Sequence, residues 1–185
     1  MTAKIVLGFV SLPGAGKSTA LKAVDDLGPI VTMGDIIREE TKKRGLPLTD
    51  KNLGFVASDL RKKEGKGIIA KLCMTRIKQK KSNVVFVDGL RSLKEVELFQ
   101  QYWTFPVIAI KISQEKRFEI IKKRNRDDDP TTLEELKQRD KREINFGLQK
   151  VIDNADYVIY NDSTEEKLKK KTRQKVFEII KNYSK

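Results

Sequence analysis

The chain has 185 residues, 38% hydrophobic and 35% charged, and 39 Lys and Arg against 26 Asp and Glu give it a formal charge of +13. It has no His and one Cys, Cys73, which excludes imidazole general bases, His-bearing triads, cysteine zinc sites and an internal disulfide. No apolar run approaches the roughly 20 residues of a membrane span, and the first residues lack a signal-peptide pattern. A cytoplasmic protein of one domain, with room for a small inserted lobe, is therefore expected.

The first expected element is a buried strand over Lys4–Val10, rich in Ile, Val and Phe. Ser11-Leu-Pro-Gly-Ala-Gly-Lys-Ser-Thr19 follows, and then a helical pattern over Thr19–Leu27. Strand, glycine loop, lysine, hydroxyl and helix in that order are the context of a phosphate-binding P-loop. The candidate ATP-binding residues are thus Ser11, Leu12, Pro13, Gly14, Ala15, Gly16, Lys17, Ser18 and Thr19. Gly14 and Gly16 let the backbone curl so that its amides and the helix N-terminus face the phosphates. Lys17 reaches toward the β- and γ-phosphates, and the Ser18 hydroxyl suits Mg²⁺. The usual pattern opens with Gly where this chain has Ser11; only Gly16-Lys17-Ser18 is literal.

A short strand over Ile30–Met33 and helices over Asp35–Arg44, Thr49–Glu64 and Gly67–Lys80 come next. Val84–Val87 is an apolar strand ending in Asp88-Gly89, and Ser92–Trp103 a helix with a capping box at Ser92 and Glu95. Pro106–Ile112 is a strand and Glu115–Arg124 a helix; Asp127–Pro130 is a turn. Thr131–Leu148 is one long helix with a capping box at Thr131 and Glu134. Asp156–Tyr160 is the fifth strand, and Ser163–Asn182 a closing basic helix. Strands alternate with helices and mostly lack polar alternation, so an α/β fold is expected: a five-stranded parallel sheet with helices on both faces, a three-layer P-loop NTPase architecture. Ligands then gather at the carboxyl ends of the strands, where Ser11–Ser18, Gly34-Asp35 and Asp88 fall.

Asp88 closes an apolar strand, the position from which a Walker-B carboxylate reaches Mg²⁺, often through water; an ordinary Asp-Gly turn is the alternative. Asp35 and Arg38 sit one turn apart, which also fits a plain helical ion pair. Arg124, Arg126, Arg139 and Arg142 flank the acidic turn at Asp127–Asp129. They suit the charge that phosphoryl transfer spreads over oxygen, although Glu135, Arg139 and Glu143 also have the spacing of a solvated ladder.

Together these stretches resemble the nucleoside monophosphate kinases, the adenylate kinase and UMP/CMP kinase group. The chain is most similar to an archaeal branch described as adenylate-kinase-related or dephospho-CoA-kinase-like. Pro13–Thr19 resembles the family's Walker A loop. Met33-Gly-Asp-Ile-Ile-Arg38 resembles its Gly-Asp-x-x-Arg, and Phe86-Val-Asp-Gly-Leu-Arg91 its Walker-B aspartate with a second acceptor arginine, without the usual proline before Arg91. Arg126-Asp-Asp-Asp129 with Arg139 is similar to a short lid, and Asn161-Asp162-Ser163 falls where the adenine-contacting loop lies.

The resemblance implies ATP and Mg²⁺ as cofactors. It implies Lys17, Arg124, Arg126, Arg139 and Arg142 as catalytic residues, Asp35, Arg38 and Arg91 around the acceptor, and Ser18 with Asp88 at the metal. Which of Arg117, Arg124 and Arg126 meets adenine or phosphate stays open. A helical acceptor lobe at about 35–81 and a lid at about 124–140 are expected, with Thr41–Lys81 and the chain near Arg124–Thr132 as the moving parts. The acceptor is a small phosphorylated, nucleotide-like molecule, and the protein a monomer or small homo-oligomer. If the acceptor is a hydroxyl, as in dephospho-CoA, Asp35 is the candidate base. The +13 charge and the lysines from Lys167 to Lys175 keep a different class in view, an ATPase switch that binds RNA or a ribonucleoprotein. A nucleotide-binding protein with little activity is a third.

Overall fold

The computed structural model describes residues 4–124 and 130–183. Five strands, β1 (Ile5–Val10), β2 (Ile30–Thr32), β3 (Val84–Asp88), β4 (Val107–Lys111) and β5 (Tyr157–Tyr160), form one sheet in the order β2-β3-β1-β4-β5. Every neighbouring pair is parallel, with Ile5 opposite Val84, Gly8 opposite Val107, Ile30 opposite Phe86 and Ile108 opposite Tyr157. β1 is buried along its whole length, as a central strand covered on both faces must be.

Successive residues of β1 point into two apolar layers. Val6 and Val10 join Val31, Ile69, Ile77, Phe99 and Val151 on one face. Leu7 and Phe9 join Leu21, Phe86, Ile108, Val176 and Ile179 on the other. The first layer is closed by α2 (Met33–Lys43), α3 (Asp50–Glu64), α4 (Ile68–Gln79), α5 (Leu93–Gln100) and α8 (Leu148–Asp153). The second is closed by α1 (Lys17–Lys22) and α9 (Glu165–Tyr183). From β1 the chain builds β2 and β3 on one side and then crosses to β4 and β5 on the other. The carboxyl end of β1 is thus the switch point of the sheet, where an open α/β fold forms its crevice.

The α/β architecture and the five parallel strands are as expected; several boundaries are not. The first helix stops at Lys22, and the tighter bonds Leu21 O to Val24 N and Val24 O to Leu27 N carry the chain on. Met33 opens α2 instead of ending β2. The long helix ends at Phe146 as α7 (Leu133–Phe146), because Gly147 turns left-handed at φ 108, and α8 follows where no helix is expected. Its capping box lies one residue on, at Thr132 and Glu135. Glu135 also accepts from Thr131 through both its amide and its hydroxyl, so the neighbouring threonines share one carboxylate.

Candidate functional site

The loop that leaves β1 is held from three sides. Gly14 and Gly16 have φ of 80° and 97°, which an L side chain resists. A Cβ on Gly16 would stand 2.6 Å from Asn161 Nδ2 and 2.9 Å from Leu168 Cδ2. Asn161 donates from that amide to the Ala15 carbonyl at 3.1 Å. Beneath the loop, Arg117 is buried; it donates to the Pro13 carbonyl at 3.3 Å and to Asp140 Oδ1 at 2.7 Å, with a second prong to Asp140 Oδ2. α6 (Gln114–Arg124), α7 and the residue after β5 thereby fix the curl of the loop.

The loop forms one wall of a cleft. Lys17 and Asp88 meet there as an ion pair between the start of α1 and the end of β3, each side chain one-fifth exposed. Ser18 beside Lys17 is exposed. The parallel pairing of Phe9 with Asp88 brings the aspartate next to the loop. Thr32, Gly34, Arg38, Gly89, Arg91 and Arg139 line the opposite wall.

A second cavity continues from the first under α2 and α3 and shares Gly34, Arg38, Gly89, Arg91, Arg139 and Glu143 with it. Its apolar lining is Met33, Ile37, Leu53, Ala57, Ile69 and Phe146, and Asp50, Arg61 and Arg142 reach it from α3 and α7. Most of its cations have a named carboxylate. Arg142 forks onto Asp50 at 2.6 and 2.9 Å. Arg91 pairs through Nε with Glu143 and donates from Nη1 to the Gly89 carbonyl at 2.7 Å. Burial pulls the Arg91 guanidinium toward neutrality, but Glu143, Glu95 and Asp88 outweigh it and hold its pKa above the ordinary value.

Glu95 organises this region from below. It is fully buried and accepts from the Arg91 amide at 2.6 Å, the Ser92 amide at 3.1 Å and Arg61 Nη2 at 3.1 Å. The capping box at Ser92 and Glu95 thus also fixes the turn that presents Arg91.

Of the residues singled out from sequence, Ser11–Gly14, Gly16–Thr19, Arg38, Asp88, Arg91 and Arg139 converge on the first cleft. Ala15 is buried in the loop behind them. Arg142 lines the second cavity, one helical turn from Arg139. Asp35 accepts from Arg38 at 2.8 Å, both half exposed, which is the plain helical pair; it lines neither cavity. Arg124 closes α6. Arg126 and the acidic turn Asp127–Asp129 lie outside the described residues, as does that part of the expected lid. Asp162, beside Asn161, accepts from Lys171 at 2.7 Å. Arg61, Asp50, Glu143 and the second role of Glu95 had no local signal, since their partners lie 34 to 92 residues away. The capping box was the nearest clue. Among the described residues no cluster of three or more His, Cys, Asp or Glu side chains suits a metal, and no helix is long and apolar enough to cross a membrane.

Three comparisons bear on this geometry. A family model described as an AAA domain (AAA_17) matches residues 10–137. A UPF0200/UPF0201 protein of Archaeoglobus fulgidus is 46% identical over 96% of this chain, and the chain spans 56% of that relative's length. A UPF0200 protein of Methanosarcina mazei is 40% identical, over 96% of this chain and 95% of its own. Among solved structures, TT1252 from Thermus thermophilus aligns with a TM-score of 0.63 at 18% identity, covering 95% of this chain and 98% of its own. Shikimate kinase from Acinetobacter baumannii, in complex with shikimate, aligns at 0.58 and 16% identity, over 98% and 96% of the two chains. These likenesses identify the fold as P-loop kinase-like.

Proposed function

The chain belongs to the UPF0200 family, and we propose that it is an ATP- and Mg²⁺-dependent phosphotransferase acting on a small phosphorylated, nucleotide-like acceptor. The observation that carries this is the shared wall of the two cavities. Arg38, Arg91 and Arg139 border both the cleft under the phosphate loop and the chamber behind it. Cations at a junction between two chambers suit a phosphoryl group passing from one to the other.

The donor side suits a nucleoside triphosphate. Gly14 and Gly16 supply the left-handed turns that curl the loop, and Lys17 with the loop amides would hold the β- and γ-phosphates. Ser18 and Asp88 offer the hard oxygen ligands that Mg²⁺ takes, in a set completed by phosphate and water. Bound there, the ion would neutralise charge on the β- and γ-oxygens. Lys17 and Asp88 now neutralise each other; on loading they would part, the lysine to phosphate and the carboxylate toward the metal.

In the transfer itself, the bond between the γ-phosphorus and the ADP oxygen breaks as a bond to an acceptor oxygen forms. Arg38, Arg91 and Arg139 would take up the charge on the moving group. An ionised phosphate acceptor needs no strong base, which accords with a chain lacking His. The segment from Thr41 to Lys81 and the lid near Arg124 to Thr132 would move on closure. The RNA-switch alternative has less behind it, because four of the six cations from Lys167 to Lys175, namely Lys169, Lys171, Arg173 and Lys175, each pair with a carboxylate.

The test is steady-state ADP release from Mg·ATP with AMP, CMP, UMP, GMP, dTMP or dephospho-CoA in turn, with Lys17→Ala as control. Acceleration by one acceptor, lost in Lys17→Ala, supports phosphoryl transfer. Turnover that ignores every acceptor and responds to RNA would favour the switch.

A further inference from the structure

Arg61 is a further cation of the second cavity. It reaches the cavity from α3, yet its side chain is only 9% exposed. Its guanidinium lies 4.7 Å from the centre of the Phe146 ring. Nη1 donates to the carbonyl of Ala57 one turn earlier at 3.3 Å, and Nη2 to Glu95 at 3.1 Å. Nε is buried with no hydrogen-bond partner among the described residues.

Its charge is also incompletely answered. Glu95 divides its two oxygens among Arg61 and the amides of Arg91 and Ser92. Glu143 is engaged by Arg91, and Asp50 by both prongs of Arg142. Burial accordingly pulls the Arg61 pKa below the usual arginine value, against the pull of Glu95 and, more weakly, of Glu143, and with Arg91 adding to the fall. A buried N–H without an acceptor among the described residues and a guanidinium that shares its carboxylate partner Glu95 with two backbone amides together describe an anion-binding position.

We propose that Arg61 forms an anion subsite at the inner end of the second cavity, which binds an acidic group of the acceptor other than the one that is phosphorylated. Resting on the phosphotransferase reading above, this narrows the acceptor to a phosphorylated molecule with a second anionic group, which a simple nucleoside monophosphate lacks: one group lies beside Arg38, Arg91 and Arg139 at the junction of the cavities, the other on the Arg61 guanidinium. The apolar walls of Met33, Leu53, Ile69 and Phe146 suit a hydrocarbon spacer between them. Phe146 keeps the Arg61 plane in place, and Glu95 ties it to the turn bearing Arg91. Both ends of the acceptor are thereby fixed to one framework.

The probes are inorganic phosphate, which has a single anionic group, and phosphonocarboxylates with alkyl spacers of increasing length. Calorimetry should find one spacer length that binds the wild type about tenfold or more tightly than phosphate. The Nε–Hε resonance of Arg61 in ¹⁵N-arginine-labelled protein, assigned by its loss in Arg61→Lys, should shift on saturation with that probe. Arg61→Met should lose the advantage and keep the affinity for inorganic phosphate. Equal affinities for all probes, failure of any to bind, or an unmoved Arg61 resonance at saturation would overturn the subsite; the resonance decides even if Arg61→Met does not fold. Mg·ADP binding and its dependence on Lys17 are measured separately. Loss of the subsite with Mg·ADP binding intact refutes the subsite alone. An intact subsite without Mg·ADP binding refutes the phosphotransferase assignment instead.

Discussion

Asn161, the residue after β5, donates a buried hydrogen bond to Ala15 in the crown of the phosphate loop, 146 positions earlier in the chain. Its amide occupies the space that the missing Cβ of Gly16 leaves. Asn161→Ala should therefore strand the Ala15 carbonyl, at a cost of about 1–3 kcal/mol. Gly16→Ala meets both the amide and a left-handed φ, adding roughly 1–3 kcal/mol of backbone strain. Urea denaturation measures both losses, and Mg·ADP calorimetry should show weaker binding in each. Unchanged nucleotide affinity in Gly16→Ala would mean that the loop does not hold phosphate as described.

The second strut of the loop is the Arg117–Asp140 pair, 4% and 12% exposed. Breaking a buried pair from one side leaves a charge unanswered, so Asp140→Ala should cost about 3–5 kcal/mol. Replacing both partners by apolar residues, Arg117→Met with Asp140→Leu, should recover much of that stability. The double variant should nevertheless bind nucleotide less well, because the donation to the Pro13 carbonyl is gone. Thermal melts of the single and double variants separate the two effects.

Much of the fold is legible in local pattern. The apolar runs that became β1, β3 and β4 stand between glycine- or proline-bearing turns, and helical spacing marks what lies between them. Asp88 could be placed beside the loop because a parallel sheet aligns its carboxyl ends. The order of the strands could not be read, nor could the break at Gly147, since a glycine inside a helical pattern is ambiguous until its φ is known. The capping box slipped by one residue because Thr131 and Thr132 are adjacent and Glu134 and Glu135 follow at equal spacing. The ladder through Glu135, Arg139 and Glu143 illustrates the larger gap. Glu135 caps its own helix and Glu143 turns to Arg91, partners set by packing and not by an i,i+4 rule. Arg61 and Asp50 were invisible for the same reason.

Cys73 lies fully buried in α4, and burial pushes its thiol up to about 12. A thiol ionises only as pH approaches its pKa, so at pH 8 the reactive thiolate is on the order of one part in ten thousand. Alkylation of the folded protein should be very slow between pH 7 and 9, and should proceed at the ordinary thiol rate in denaturant. If the helices around α4 swing during turnover, acceptor binding should slow alkylation further. Rapid labelling of the resting protein at pH 8 would contradict this burial.

The Lys17–Asp88 pair sets a sign for the metal dependence. In Asp88→Asn the lysine loses its competing carboxylate, so ADP without Mg²⁺ should bind as tightly as to the wild type, or more tightly. The added affinity that Mg²⁺ brings should fall by about tenfold or more, because an amide is a poorer ligand for a hard cation. Calorimetry of ADP with and without Mg²⁺ checks both. Equal enhancement by Mg²⁺ in wild type and Asp88→Asn would remove Asp88 from the metal site.

Phosphoryl transfer itself is tested most directly by following the γ-phosphorus of ATP by ³¹P NMR in the presence of Mg²⁺ and the acceptor series. The account predicts a new phosphorylated-acceptor resonance that grows in step with ADP for the wild type and is absent for Lys17→Ala. Release of the γ-phosphorus only as inorganic phosphate, whatever acceptor is present, would contradict it.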